Sequence, residues 1–359
     1  MNIIQVVTNK VWGGGERYVL DLSKRLRSDG HNVVVAARRG CTGAIEPFIE
    51  AALSVHEIPF GGFLDIVTPK RLAALIDACD GPVAVHVHNF KDAAVALKAR
   101  RRINRSDVRV ICTRHLCRPA KARHEKIYNS LDAIVFVSQF AQSTFLSSSP
   151  AVDPQRLHTV RNALTPMPRH TPAPAHRAGE VVRLCFMGRL DPEKGLGTLI
   201  EAVGLLPAGT ATVDVYGSGE KTYVAQLRKK ADRLAPGTFV WHGYTADVYA
   251  ALESSQALVA PSSVPEACGF SIMEAMAAGR AVIVSDNGAQ PELLTDGKEG
   301  FLLPPDNPVA LAGAIARLAD SDTLIADMGG HAAATAAASF SYDTFYNKII
   351  SIYNNDSAN

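Results

Sequence analysis

The chain has 359 residues, a length that favours two domains over one. Hydrophobic residues make up 47% and charged residues 20%, which excludes the disordered, collagen-like and disulfide-scaffold classes of protein. The formal net charge of +2 hides an asymmetry, because residues 1–164 carry 23 basic and 14 acidic side chains while residues 165–359 carry 14 and 21.

The basic half favours contact with phosphate groups, whether of nucleic acid, of anionic lipid or of a phosphorylated substrate. An alternative stays open, in which the excess is the solvated end of one helix. That alternative concerns Lys98, Arg100, Arg101, Arg102 and Arg105.

The sequence indicates a protein of the cytosol. No apolar run reaches the roughly 18–20 residues that a membrane span needs, and the first residues lack the basic and apolar regions of a secretory signal. The 6 cysteines are scattered, without a C-x-x-C pair or a nearby histidine at metal-ligand spacing. We therefore expect reduced, mostly buried thiols.

Short β-branched runs alternate with helical patterns along the whole chain, which is typical of βαβ units and parallel sheets. Six strands are predicted in the first half, at Ile3–Val7, Val33–Ala37, Val83–His88, Val108–Cys112, Ala133–Val137 and Leu157–Val160. Six more are predicted in the second half, at Val181–Phe186, Ala211–Tyr216, Phe239–Trp241, Ala257–Ala260, Ala281–Val284 and Gly300–Leu303. The prediction is an α/β chain with two doubly wound domains, residues 1–165 and 177–341.

Two further segments complete the predicted organisation. Residues 166–176 contain four prolines, which fit neither a helix interior nor a central strand, so this stretch is predicted to be the linker. The segment 342–359 shows helical spacing of large apolar residues, which predicts one buried face. Its members are Tyr342, Phe345, Tyr346, Ile349, Ile350 and Tyr353.

A glycine-rich turn, Gly13-Gly14-Gly15, follows the first strand and opens a helix. Backbone N–H groups at such a turn can approach an anion or a sugar closely. The turn does not fit the G-x-G-x-x-G fingerprint, and no acidic residue ends the second strand, so nicotinamide cofactors are disfavoured. A purely structural tight turn remains the alternative.

The second half carries three candidate turns at strand ends. Gly188 and Arg189 open a loop that also holds Lys194, and two cations at the carboxyl edge of a parallel sheet are placed to clamp a diphosphate. The alternative is two ordinary surface cations. The turns at Gly217 and His242 are expected to line the same crevice.

The segment from Val264 to Gly279 places two carboxylates eight positions apart. Glu266 is predicted in a loop after a strand, and Glu274 about one turn into a helix that starts near Phe270. The N-terminus of that helix favours a phosphate, and a glutamate can accept hydrogen bonds from two sugar hydroxyls.

This segment resembles the E-x7-E motif of the retaining glycosyltransferases of family four, and the resemblance extends over nearly the whole chain. The glycine-rich first turn, the Gly-Arg-Leu loop with its lysine, the Tyr-Gly-x-Gly turn and the Glu-x7-Glu segment occur in the family's order. The stretch from Pro291 to Gly300 follows them in the same order.

The resemblance implies a GT-B fold, in which two Rossmann-like domains face a central cleft that holds a nucleotide sugar. Arg189 and Lys194 would then bind the donor diphosphate and Glu274 the ribose hydroxyls. The transferred sugar would contact Glu266 and a backbone segment. That segment is Gly269, Phe270 and Ser271, and Gly188, Gly217 and His242 would complete the donor site of the second domain.

In the first domain, the resemblance places Gly14 and Gly15 near the donor phosphates and sugar. His115, which follows the fourth predicted strand, matches the family's histidine near the donor sugar. The same domain would bind the acceptor, and the helix at 342–359 would cross back onto it.

The resemblance also implies a mechanism. The donor would be a UDP- or GDP-linked hexose, and the acceptor a hydroxyl of a glycan, a lipid-linked molecule or a small molecule. The acceptor would attack from the leaving-group face, so the anomeric configuration is retained without a side-chain nucleophile. Cations and a helix N-terminus stabilise the leaving group, so no metal and no cofactor is expected. Asp320-Ser321-Asp322 is interpreted as a cap and a turn.

The expected partners are a nucleotide sugar, an acceptor and an anionic membrane at the inner face, with no nucleic acid. Three other interpretations stay open. Glu266 and Glu274 are also compatible with the acid and nucleophile of a retaining glycosidase, although such an enzyme needs no phosphate clamp. A nucleotide-sugar epimerase of the same fold is a second alternative, and a non-catalytic nucleotide-sugar-binding subunit is the third.

Overall fold

The computed structural model describes residues 1–61, 65–165 and 171–355. They form two compact units, one of Met1–Asn162 with the segment that begins at Asp343, the other Ala163–Tyr342. The first unit therefore ends before the predicted boundary at 165.

Residues 166–170 of the predicted linker lie outside the described residues, whereas 171–176 pack on the second unit. The Arg280 guanidinium donates to the Thr171 carbonyl at 2.7 Å, and the Gln256 amide to the Pro174 and Ala175 carbonyls at 3.2 and 3.0 Å. These proline-rich residues donate few backbone hydrogen bonds, but their carbonyls are satisfied by buried side chains, so 171–176 are not a free linker.

The first unit contains seven parallel strands within the described residues. They are β1 (Asn2–Val7), β2 (Asn32–Arg38), β3 (Ser54–Ile58), β4 (Val83–Val87), β5 (Val108–Arg114), β6 (Ala133–Phe136) and β7 (Leu157–Thr159), in the order β3-β2-β1-β4-β5-β6-β7. Their helices are α1 (Gly14–Ser28), α2 (Thr42–Glu50), α3 (Val67–Asp77), α4 (Phe90–Arg100), α5 (Glu125–Tyr128) and α6 (Gln139–Leu146). The central strands are apolar on both faces because helices cover both sides of a parallel sheet.

The prediction of six strands in this half is wrong, because β3 was missed. It is an edge strand that pairs with β2 alone, and His56 and Glu57 are exposed while Ile58 is buried. A strand with so little buried apolar surface does not show the hydrophobic pattern of its central neighbours.

The second unit contains six parallel strands within the described residues. They are β8 (Val182–Met187), β9 (Ala211–Tyr216), β10 (Phe239–Gly243), β11 (Ala257–Ala260), β12 (Ala281–Ser285) and β13 (Gly300–Leu303), in the order β10-β9-β8-β11-β12-β13. The helices are α7 (Leu196–Gly204), α8 (Lys221–Leu234), α9 (Val248–Glu253), α10 (Phe270–Ala277), α11 (Pro308–Ala319) and α12 (Leu324–Ser339). Apolar side chains from both faces of the sheet form its core.

The last helix, α13 (Tyr342–Asn354), packs on the first unit. Its buried face includes Phe345, whose ring lies 5.3 Å from that of Tyr18. Ile352 is buried, whereas Ile350, which was predicted on this face, is only half-buried. Ile352 lies seven positions after Phe345, which at 3.6 residues per turn returns to the same stripe.

In each unit the sheet is parallel, so all loops that follow a strand lie at one edge, the carboxyl edge. Ligands of open α/β sheets bind outside this edge. The described residues include no helix that is long and apolar enough to cross a membrane.

Candidate active site

In the second unit, three loops at the carboxyl edge are joined by backbone hydrogen bonds. The Gly188 N–H donates to the Tyr216 carbonyl at 3.1 Å, and the Gly217 N–H to the Gly243 carbonyl at 2.7 Å. A Cβ on Gly217 would lie 1.8 Å from the Gly188 carbonyl oxygen, so the close approach of these loops requires glycine. The turns after β8, β9 and β10 are thus adjacent at this edge.

The centre of this edge is an ion pair between two residues singled out in the sequence. Lys194 Nζ lies 2.8 Å from Glu266 Oε2, and both side chains are about three-quarters buried or more, with 24% and 20% exposed. The Ser262 hydroxyl donates to the other carboxylate oxygen of Glu266. Both oxygens of Glu266 are therefore held, and the carboxylate is fixed in place.

Two glycines bring the Lys194 loop and the Glu266 loop together. Gly195 has φ +73°, and its Cβ would lie 1.8 Å from the carbonyl oxygen of Pro261, the residue that follows β11. Gly288 has φ +66°, and its Cβ would lie 2.4 Å from the Glu266 nitrogen. A side chain at either position would push the loops apart, so the ion pair depends on both glycines.

The Arg189 guanidinium takes a different direction. It pairs with Asp191 at 2.8 Å and approaches Glu193 at 3.9 Å, and its side chain is 71% exposed. Arg189 is thus at the predicted edge but reaches into solvent, whereas Lys194 is the cation at the centre.

The E-x7-E segment forms the loop and helix that the sequence predicted. Helix α10 starts at Phe270 after Gly269, and Glu274 lies in its second turn with only 3% of the residue exposed. A Cβ on Gly269 would lie 2.8 Å from Ile272 Cδ1, so the helix start is closely packed. Phe270 and Ser271 are partly exposed at the N-terminus of the helix, which is the end that favours a negatively charged group.

His242 lies on the edge strand β10 and stacks on Tyr216, with ring centroids 4.4 Å apart and an interplanar angle of 9°. Its Nε2 lies 2.6 Å from Asp214 Oδ1. The structure therefore places His242 in a flat aromatic pair at the outer part of the carboxyl edge.

In the first unit, the glycine turn and His115 meet. A Cβ on Gly15 would lie 3.9 Å from His115 Cδ2, in van der Waals contact, and Gly14 is the first residue of α1. Glu16, which follows Gly15, is buried and accepts a hydrogen bond from the Asn9 amide. Burial raises the pKa of the Glu16 carboxyl group.

His115 belongs to a hydrogen-bonded chain of side chains that the sequence analysis missed. His88 Nδ1 lies 3.2 Å from His115 Nε2, and His88 Nε2 lies 3.0 Å from Gln5 Oε1. Burial lowers the pKa of His115 to about 4 and that of His88 well below its usual range, so both imidazoles are neutral at pH 7.

His86 extends this chain to helix α13. Its Nδ1 lies 2.7 Å from the Tyr353 hydroxyl and its Nε2 lies 2.7 Å from the Thr113 hydroxyl. Burial lowers the pKa of His86 to about 3. The signal was present in the sequence, because two histidines at alternate positions of an apolar strand (His86 and His88) must find buried partners.

Comparison with known proteins identifies the family. A model described as Glycosyltransferase Family 4 matches residues 12–166, and one described as Glycosyl transferases group 1 matches residues 182–321. The chain belongs to the family 4 (group 1) glycosyltransferases. It is 27% identical over 336 residues to a phosphatidyl-myo-inositol mannosyltransferase of Mycolicibacterium smegmatis, an alignment that covers 87% of this chain and 82% of the relative.

Solved structures show the same fold. A glycosyltransferase from Rickettsia africae superposes with a TM-score of 0.83 at 21% identity, covering 99% of this chain and 98% of that one. Anabaena HepE, in complex with UDP-glucose, superposes with a TM-score of 0.81 at 19% identity, covering 99% of this chain and 100% of that one. The glycosyltransferase has the GT-B architecture of two Rossmann-like domains, which confirms the predicted fold class.

Two basic clusters of the glycosyltransferase's first unit lie at opposite edges of its sheet. Lys98, Arg101 and Arg102 are at the end of α4, before β5, and are exposed. Arg100 pairs with Asp132 at 2.6 Å and Arg105 with Asp107 at 2.8 Å, so each of these guanidinium groups has a carboxylate partner within the unit. These partners argue against a phosphate-binding role for Arg100 and Arg105, and the paired side chains are not a solvated helix end either.

The second basic cluster lies at the carboxyl edge, in the loop between β5 and α5 that begins at His115. Arg118, Lys121 and Arg123 are exposed there. Arg114 anchors the loop, because its guanidinium packs 4.4 Å from the centroid of the Phe90 ring and donates to the Arg118 carbonyl at 2.7 Å. This cluster therefore shares an edge with Gly15 and His115.

The D-x-D sequence of the glycosyltransferase is a structural turn. Asp320 is the C-cap of α11, and Asp322 accepts a hydrogen bond from the Ala178 N–H at 2.8 Å. The Ser321 hydroxyl accepts a hydrogen bond from the Leu324 N–H at 3.1 Å, at the start of α12. In the part of the chain that the structure describes, no cluster of three or more His, Cys, Asp or Glu side chains has the arrangement of a metal site.

Proposed function

We propose that this glycosyltransferase transfers a hexose from a UDP- or GDP-linked donor to an acceptor hydroxyl, with retention of the anomeric configuration. The observation that carries the proposal is the Lys194–Glu266 ion pair at the carboxyl edge of the second unit. It places a cation next to a fixed carboxylate, a combination that suits a phosphate joined to a sugar.

In this proposal the donor diphosphate binds Lys194 and Arg189. The exposed Arg189 side chain has the freedom to turn from Asp191 toward a phosphate, because a pair so exposed to solvent is weak. Gly188 and Gly217 leave the edge without side chains, so the diphosphate can approach the backbone. The UDP-glucose complex of the Anabaena structure supports a uridine donor.

The sugar and ribose contacts come from the E-x7-E segment. We assign Glu274 to the ribose hydroxyls, and Glu266 with the backbone of Gly269, Phe270 and Ser271 to the transferred hexose. A carboxylate held by Lys194 and Ser262 keeps a fixed position toward sugar hydroxyls. We place His242 at the outer part of the donor site, where its stack with Tyr216 offers a flat surface.

On the first unit, the proposal assigns Gly14 and Gly15 to the donor phosphates and His115 to the transferred hexose. A neutral His115 suits a hydroxyl ligand, because each ring nitrogen then either donates or accepts one hydrogen bond.

Departure of the sugar from the diphosphate creates positive charge on the sugar ring and negative charge on the leaving group. Lys194, Arg189 and the N-terminus of α10 would stabilise that negative charge. A phosphate oxygen of the leaving group takes the proton of the acceptor, which attacks from the same face, so the configuration is retained. With these groups in place the proposed reaction uses no metal and no cofactor.

For the acceptor, we favour a phosphate-bearing lipid, in preference to a glycan or a free small molecule. The name of the Mycolicibacterium relative specifies phosphatidyl-myo-inositol, whose phosphate fits the exposed Arg118, Lys121 and Arg123. The proposal includes a cytoplasmic location with peripheral contact to anionic membrane and no nucleic-acid partner. Each cation near such a surface contributes about 1 kcal/mol, an effect that salt screens.

The membrane part is tested by co-sedimentation with anionic and neutral vesicles at low and high salt. We expect binding to anionic vesicles that weakens with salt and falls when Arg118, Lys121 and Arg123 are replaced together by Ala. The matched control replaces Lys98, Arg101 and Arg102, at the opposite sheet edge, and should bind as wild type. Equal loss in both triple variants would contradict a specific surface.

The donor is tested with a panel of nucleotide sugars, with product analysis by mass spectrometry. We expect turnover with a UDP- or GDP-hexose and at least a tenfold loss in Glu274→Ala, since losing a hydrogen bond to a charged group costs about 1.5–3 kcal/mol. Glu253→Ala, an exposed glutamate at the end of α9, is the control. Activity of Glu274→Ala within twofold of wild type would remove Glu274 from the site.

A further inference from the structure

His88 stands between an amide and the imidazole of His115. Its Nε2 lies 3.0 Å from Gln5 Oε1, and its Nδ1 lies 3.2 Å from His115 Nε2. His88 and His115 are on neighbouring strand ends, those of β4 and β5, and the Tyr18 ring packs edge-on against His115 at 4.9 Å between centroids. The geometry leaves the His115 ring little freedom to rotate.

The hydrogen bonds determine where the protons are. The Gln5 amide oxygen only accepts, so His88 Nε2 carries its proton and His88 Nδ1 is an acceptor. His115 then donates from Nε2. The Gln5 amide nitrogen lies 3.4 Å from the Tyr353 hydroxyl and donates to it. This contact is consistent with an amide oxygen that faces His88 and accepts from it.

His115 Nδ1 is the remaining nitrogen of this pair. In the described ranges of the chain it makes no hydrogen bond with another residue, and as the unprotonated nitrogen it carries a lone pair. Because burial keeps both imidazoles neutral, the choice between the two tautomers of His115 decides whether this nitrogen accepts or donates.

We propose that His88 is a positioning residue that fixes His115 as the Nε2–H tautomer, so that His115 Nδ1 accepts a hydrogen bond from a hydroxyl group of the transferred sugar. The inference rests on the proposed function, which assigns His115 to that sugar. It adds a requirement on the sugar: one with an unmodified hydroxyl at the position that meets His115 is favoured over its deoxy or O-methyl analogue.

Two substitutions at His88 separate its two nitrogens. The amide of His88→Asn reaches the position of Nδ1 and can still accept from His115, whereas the amide of His88→Gln reaches the position of Nε2 and loses that acceptor. Both variants are polar and of similar size, so they form a matched pair. Thermal unfolding of each variant of the full chain checks that the fold is retained.

The first readout is the tautomer of His115, measured by long-range ¹H–¹⁵N NMR of the ring nitrogens in the ligand-free protein. We expect the Nε2–H form in wild type and in His88→Asn, and a gain of the Nδ1–H form in His88→Gln. A wild-type His115 with its proton on Nδ1, or the same tautomer in both variants, would overturn the inference. This readout needs no donor and no turnover.

The second readout is kcat/KM for the donor. We expect a loss of tenfold or more in His88→Gln and less than threefold in His88→Asn; equal losses in the two folded variants would also overturn the inference. A protein that turns over no nucleotide sugar but shows the expected tautomers would refute the proposed function and still support the positioning of His115 by His88.

Discussion

The buried imidazoles make the first unit of the glycosyltransferase sensitive to acid, and His86 allows this to be measured. We predict that the destabilisation caused by His86→Gln shrinks as the pH falls from 7.5 to 5.0. At pH 7.5 the variant loses the hydrogen bond between His86 Nδ1 and the Tyr353 hydroxyl, whereas its amide reaches the position of Nε2, which bonds to Thr113. At pH 5.0 the free energy of unfolding of the wild type is lowered because its unfolded state binds a proton at His86. The variant has no imidazole at this position and lacks this decrease.

The magnitude follows from the pKa shift. The pKa of His86 is about 3 in the folded protein and about 6.5 in an unfolded chain, so between these values only the unfolded state binds the proton. Stability that is complete above pH 6.5 is therefore lost as the pH falls toward 3. Protonation of this imidazole in the unfolded state lowers the free energy of unfolding at pH 5.0 by about 2 kcal/mol relative to pH 7.5.

Two carboxyl groups of the same unit act in the opposite direction. Burial raises the pKa of Asp92 to about 6 and also raises that of Glu16, so the folded state binds their protons first and gains stability as the pH falls. These groups are the same in wild type and in His86→Gln. The difference between the two proteins therefore isolates the imidazole.

The assay is urea unfolding followed by tryptophan fluorescence. The chain has 2 tryptophans, Trp12 in the first unit and Trp241 in the second, so a Trp241→Phe background reports on the first unit alone. We expect the free-energy difference between wild type and His86→Gln to decrease by about 2 kcal/mol from pH 7.5 to pH 5.0. An unchanged difference would refute the assignment of a buried, neutral His86.

Three other predictions concern the second unit. Lys194→Ala should lower kcat/KM at least tenfold, because a charge-assisted hydrogen bond contributes about 1.5–3 kcal/mol. Replacement of the exposed Lys229 by Ala is the control, and equal activities of the two variants would exclude Lys194 from the site. In urea unfolding, Gly195→Ala should destabilise the unit by about 1–3 kcal/mol more than Gly209→Ala. Both glycines have positive φ, but only a Cβ at Gly195 would clash with a carbonyl oxygen, that of Pro261. Equal losses in the free energy of unfolding would contradict the close approach of Gly195 to Pro261. Turnover should be unchanged by EDTA, and a loss that magnesium or manganese restores would disprove the metal-free proposal.

The sequence alone determined the features that are local along the chain. Alternating strand and helix patterns predicted twelve of the thirteen strands seen in the described residues, and the sequence also predicted that helix α10 starts near Phe270. These features depend on neighbouring residues, so their pattern is visible in one dimension. The strand β3 was missed because an exposed edge strand carries little of that pattern.

The tertiary structure decided which distant side chains become partners. Gln5 and His86 are opposite each other only because β1 and β4 pair in one register, and Lys194 meets Glu266 only because Gly195 and Gly288 allow two loops to close on each other. The same holds for Arg100, a candidate phosphate ligand in the sequence that the fold commits to Asp132. The sequence specifies the chemical type of each residue. Strand register and loop closure determine whether two side chains come within the few ångströms at which a hydrogen bond or an ion pair forms.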